Sequence, residues 1–169
     1  MNIEELMRVG HVKRWHIVRV GREQTISEHM HRVWLICREI GLGMNLDGQE
    51  TKALEEAALH HDIPEIIMGD IPSPTKQRIE EDTDCLEGME RECGYGASFK
   101  LNSRLACILK MADLMEAIHF LREEGIGKHA SQVQGWLDAQ FWRVWEKATD
   151  DHKCDDWGVV RDIYLLLCA

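Results

Sequence analysis

The sequence predicts an all-α fold, a single-domain helical bundle. Three observations predict it: apolar residues recur at helical spacing in nearly every segment, no stretch has the period-two, β-branched pattern of a strand, and capping motifs stand where the periodic segments begin. The chain has 169 residues, 44% of them hydrophobic and 30% charged, which suits one globular core and is short for two. Residues 1–169 therefore read as one domain.

Thr25 and Glu28 form a candidate capping box, followed by Met30, Val33, Trp34, Cys37 and Ile40 on one helical face until Gly41 and Gly43 stop the helix. His29 falls in its first turn. A second box, Asp47 with Glu50, opens a helix through Leu54, Ala57, Ala58 and His61 that Pro64 discourages from continuing. The pair His61-Asp62 thus sits at a helix's end. Glu65 to Gly69 reads as a short extra turn, and Asp70 to Lys76, with Pro72 and Pro74 fixing its path, as an ordered loop that presents Asp70 and Lys76 rigidly.

Gln77 to Cys93 reads as a charged, exposed helix, and Ser103 to Arg122 as a strongly apolar one ended by Gly125 and Gly127. Asp113 lies inside the latter. The final third, with Trp136, Phe141 and Trp145, then Trp157, Val160 and Tyr164, supplies two amphipathic helices whose tryptophans suggest a buried self-interface and a homo-oligomer.

Composition narrows the function. No apolar run approaches the roughly 20 residues that span a bilayer, so no membrane span is expected. The acidic pair Glu4-Glu5 stands where a secretory signal carries positive charge, and Cys37, Cys85, Cys93, Cys107, Cys154 and Cys168 form no C-x-x-C pair. The expectation is a cytoplasmic protein whose cysteines remain thiols and serve packing. With 30 acidic against 20 basic residues the net charge is −10, which repels duplex DNA or RNA. A small phosphate ester remains possible as a partner, because one metal ion and a few local cations outweigh the global field at short range. Residues 8 to 22 supply such cations, Arg8, Lys13, Arg14, Arg19 and Arg22, with no acidic residue among them.

Four positions form a candidate constellation: His29, the adjacent His61 and Asp62, and Asp113 flanked by Met111, Ala112, Leu114 and Met115. A carboxylate in so apolar a stretch must be paired or metal-bound. An ion-paired aspartate meets that demand as well as a ligand does, His29 alone reads equally as a surface histidine, and His60 competes with His61. Two imidazoles and two carboxylates suit zinc, cobalt, manganese or iron, and without a thiolate they leave positions open for water and substrate.

Arg14-Trp15, Ser27-Glu28-His29, His61-Asp62-Ile63-Pro64-Glu65, the run Gly69 to Lys76, and Ala112-Asp113 occur in that order. Together they resemble the HD-domain 5'-deoxynucleotidases of bacteria and the related phage dATP triphosphohydrolases, over roughly residues 10 to 120. The resemblance implies one divalent metal ion, zinc, cobalt or manganese, held by His29, His61, Asp62 and Asp113. It implies Glu65 and Asp70 as the catalytic carboxylates, Arg14 and Lys76 on phosphate, Trp15 on sugar or base, and Ile17 against the base. A β-branched residue there leaves no room for guanine's 2-amino group, although Ile17 reads equally as a packing residue. Arg8 and Arg22 read as solvated surface charges.

The function that follows is hydrolysis of a deoxynucleotide phosphoester by metal-activated water. Two products compete: triphosphate from dATP, favoured by the compact chain and by Ile17, or phosphate from a deoxynucleoside monophosphate. A non-catalytic, metal-stapled nucleotide-binding module is the reading from another class, and a metal-free helical bundle a third. Glu65 and Asp70 argue against a staple, which needs no free carboxylate beside its ion.

Overall fold

The structure, a computed structural model, describes residues 1–72, 75, 76, 78, 79 and 101–168. A short α1 (Ile3–Leu6) and a 3-10 turn (Met7–His11) lead through residues 12–25 into α2 (Ile26–Gly43) and α3 (Gly48–Ala58). The single turn α4 (Glu65–Met68) follows, and then α5 (Ser103–Glu124), α6 (Gly127–Asp151) and α7 (Gly158–Cys168). The described residues contain only isolated β-bridges and no strand, as the periodicity predicts. Among them no helix is long and apolar enough to cross a membrane.

The capping signals act largely as read. Thr25 accepts the Glu28 N–H at 3.3 Å, but the reciprocal bond does not form, because the Glu28 carboxylate takes the Arg22 guanidinium at 2.7 and 2.9 Å instead. Arg22 also reaches Glu124 at 3.1 Å, so this partly exposed surface charge, as expected away from the cleft, is ion-paired. The Asp47–Glu50 box is complete. Helix α3 nevertheless stops at Ala58, short of His61, because the ring nitrogens of His60 and His61 engage the last carbonyls, of Glu56 at 2.6 Å and Ala58 at 2.9 Å. Gly127 opens α6 instead of ending α5, which closes on Gly125.

Helix α5 is the central element, apolar on all sides: Ile108, Met111, Ala112, Met115, Ile118 and Phe120 are all fully buried. α2, α3, α6 and α7 pack around it. A second cluster, Ile26, Met30, Ile63 and Ile66, seats α4 and the preceding turn on the start of α2. Residues 12–25 are stitched over the end of α5 by Gly21 N–H to Glu124 O at 2.8 Å and Ile126 N–H to Arg19 O at 2.9 Å. The Arg14–Val18 stretch is thereby fixed. Beyond α4, Gly69 has φ 74° and ψ 168°, a region essentially reserved for glycine, and this bend turns Asp70 back toward Trp15.

Cys37 and Cys168 are buried thiols and Cys107 half-buried, but Cys154 is exposed, so packing does not account for it. Cys85, Cys93, Ser73, Pro74 and all of the expected Gln77–Cys93 helix except Arg78 and Ile79 lie outside the described residues.

Candidate metal centre and adjoining cleft

The first turn of α2, the turn after α3 and the middle of α5 converge on one point. Donor atoms of His29, His61 and Asp113 all lie within 4.8 Å of one another. Asp62 Oδ2 lies beside the two histidines, 3.3 Å from His29 Nε2 and 3.4 Å from His61 Nε2, but outside that mutually close set of three, and Asp113 Oδ1 stands 3.3 Å from His29 Nε2. His29 is 0% exposed, which removes the surface-histidine alternative. His61 faces this cluster while its neighbour His60 turns to the Glu56 carbonyl.

The donor set fits a divalent cation. His29 Nδ1 meets Glu116 Oε2 at 2.5 Å and His61 Nδ1 meets the Ala58 carbonyl at 2.9 Å, so each ring's proton is directed away from the cluster. Both Nε2 atoms are then buried without a hydrogen-bond partner, as is Glu65 Oε2. Lone pairs turned toward two carboxylates repel unless a positive charge stands among them. Without an ion, a proton supplies that charge. Burial and the Arg14 cation oppose protonation of His29, yet Asp113, Asp62 and Glu116 lift its pKa to about 10. Burial opposes ionisation of Asp62 and Asp113, but His61 and His29 hold Asp62 below the usual carboxylate range, and Lys110, at 2.8 Å, with His29 does the same for Asp113.

Glu65, in the first turn of α4, lines a recess of about 20 Å³ with His61, Asp62 and Lys76, enough room for one water. Burial, then the charges of Asp62 and Asp70, push its carboxyl up to about 9. On the other side of Asp113 opens a cleft of about 620 Å³. Its walls hold Arg14, Trp15, Ile17, Asp70, Lys110 and, from α6, Trp136 and Arg143.

The structure thus brings Arg14, Trp15, Ile17, Asp70 and Asp113 to one cleft and His61, Asp62, Glu65 and Lys76 to the recess beside it. Ile17 is 61% exposed, so it is a cleft residue and not a packing one. Trp15 combines both of its readings: its ring stacks on Phe120 at 5.8 Å and also lines the cleft. Its φ of 68° is unusual for a bulky residue, and Asp70 Oδ2 accepts its backbone N–H at 3.2 Å.

Glu116, Gln24, Lys110 and Arg143 escaped the sequence reading. Glu116 carries the signal that singled out Asp113, a carboxylate inside the same apolar helix and one turn further along its face. Gln24 and Arg143 carry no comparable signal.

The family model described as 5'-deoxynucleotidase YfbR-like matches residues 3–129. A dATP triphosphohydrolase of cyanophage S-2L is 36% identical over 143 residues, covering 82% of this chain and 80% of its own length. A second, from Salmonella phage PMBT28, is 31% identical over 149 residues, covering 83% of this chain and 76% of its own. Among solved structures, the cyanophage S-2L HD phosphohydrolase bound to dA and one catalytic Zn2+ ion superposes with a TM-score of 0.83. It is 32% identical, and the match covers 98% of this chain and 93% of that one.

Proposed function

The chain belongs to the YfbR-like family of HD phosphohydrolases, and on that premise we propose that it hydrolyses dATP to deoxyadenosine and triphosphate. The observation that carries the reading is the pair of buried, unpartnered Nε2 atoms of His29 and His61 beside Asp62 and Asp113, at the edge of a nucleotide-sized cleft. These four residues hold the divalent ion, with zinc the first candidate because the S-2L enzyme binds it. When bound, such an ion supplies Lewis acidity and makes water acidic enough to ionise near neutral pH.

The chain's own residues do the rest. Glu65, bordering the water-sized recess with an unpartnered Oε2, accepts the proton of the attacking water, and positive charge in the cluster draws its raised pKa back toward neutrality. Asp70 fixes the backbone of Trp15 and borders the reacting phosphate. Arg14 and Lys76 meet the α-phosphate, and Trp15 and Ile17 wall the nucleoside. Lys110, held by Asp113, and Arg143 line the same cleft, and Arg143 pairs with no carboxylate among the described residues, so its charge is available for the additional charge of a triphosphate.

The family description favours a second reading, release of phosphate from deoxynucleoside monophosphates. Hydrolysis assayed over the four deoxynucleotides as mono-, di- and triphosphates, with chelator-stripped protein and added zinc, cobalt or manganese, decides between them. Activity on dATP only after metal is restored supports the proposal; a preference for monophosphates transfers it to the second reading. The 169 residues act as one cytoplasmic domain that self-associates, a reading supported by Leu165 and Leu166, 49% and 85% exposed on α7 outside the cleft.

A further inference from the structure

We infer that Glu116 and Gln24 are positioning residues that tie the metal cluster to the nucleotide cleft: Glu116 orients His29, and Gln24 links that same carboxylate to Trp15. This rests on reading His29 as a metal ligand and Trp15 as part of the nucleotide wall. The chain of bonds is short and buried. Trp15 Nε1–H donates to Gln24 Oε1 at 2.7 Å, Gln24 Nε2–H donates to Glu116 Oε1 at 2.6 Å, and His29 Nδ1 meets Glu116 Oε2 at 2.5 Å. Gln24 and His29 are 0% exposed and Glu116 1%.

The polarity of this chain has one solution. An indole nitrogen only donates, so Gln24 must turn its carbonyl to Trp15 and its amide N–H to Glu116. Arg14 also donates to Glu116 Oε2, at 3.3 Å, so both carboxylate oxygens are accepting. His29 Nδ1 must therefore carry the proton, which leaves the Nε2 lone pair to the cluster. The opposite end of the chain holds Trp15, whose positive φ requires support from its surroundings. A buried carboxylate retained only to balance Arg14 and Arg32 would need none of this directionality.

An amide at 116 breaks the sequence of donors, because its NH2 must face either the Gln24 amide or the His29 Nδ1–H. The test is calorimetric titration of Zn2+ into chelator-stripped wild type, Glu116→Gln and Gln24→Leu, with thermal melts and steady-state kinetics on dATP. Glu116→Gln is expected to bind Zn2+ about 10- to 100-fold more weakly while still melting cooperatively. Gln24→Leu is expected to bind Zn2+ as wild type does but to raise KM for dATP about tenfold, the worth of one buried hydrogen bond, with little change in kcat. Should Glu116→Gln not fold, Glu116→Asp, which keeps the charge and shortens the reach, carries the same prediction of weaker zinc. Wild-type zinc affinity in the folded Glu116 variant, or an unchanged KM in Gln24→Leu, overturns the inference. Wild-type protein that takes up no zinc overturns instead the reading of His29 as a ligand.

Discussion

Truncating Ile17 separates base selection from folding. The side chain is 61% exposed and lines the cleft, so Ile17→Ala removes little buried surface and is expected to change stability by no more than about 0.5 kcal/mol. Its effect on substrate choice is larger. With the side chain against the purine edge, adenine fits and guanine's 2-amino group meets the β-branched methyl. A steric conflict of that kind is worth about 1 to 3 kcal/mol, so relieving it raises dGTP hydrolysis relative to dATP by about 10- to 200-fold. The assay is kcat/KM for both nucleotides in wild type and variant, since that ratio reports discrimination at the transition state. A thermal melt and a metal determination accompany it. An unchanged dATP-to-dGTP ratio in a variant that melts and loads metal normally refutes the placement of the base against Ile17.

Three further outcomes follow from the centre itself. His61→Ala is expected to lose bound metal and activity together, whereas His60→Ala, on a ring turned to Glu56, keeps both; intact metal content in His61→Ala reassigns the ligand. Glu65→Gln is expected to retain the metal yet lose about 10²- to 10⁴-fold in kcat, and full turnover in that variant removes Glu65 from proton transfer. In metal-free protein, folding raises His29 from 6.5 to about 10, a contribution present below 6.5 and lost as pH climbs through 10. Glu65, raised from 4.5 to about 9, also binds its proton more tightly when folded, so stability falls as pH rises between those values. The Tm of chelated protein is therefore expected to fall from pH 6.5 to 10 while zinc affinity rises, since the ion needs unprotonated ligands, and a rising Tm contradicts the assignment.

Local signals made much of the fold legible. Asp47 with Glu50, and Thr25 before Ile26, mark helix starts because their side chains satisfy backbone donors within a few residues. The end of α3 was less legible, because it depends on which carbonyls the His60 and His61 rings take. The need of Asp113, half-buried in an apolar helix, for a partner was readable for the same reason, and Glu116 carries the same signal. Its partners, Gln24 and His29, are distant in sequence and meet it only through tertiary packing. Arg143 and Trp136 entered the cleft for a like reason, since amphipathic periodicity orients α6 but does not say which element its polar edge borders. The ion pairs of Arg22 are not legible in the sequence, because its two acidic partners come from different helices.

The central claim is that metal-dependent attack falls on the α-phosphorus of dATP, and the products report it directly. Zinc-loaded protein incubated with dATP and followed by phosphorus NMR is expected to release intact tripolyphosphate together with deoxyadenosine, with chelated protein releasing neither. Orthophosphate or pyrophosphate as the first product, or hydrolysis that continues in the chelated protein, contradicts the account.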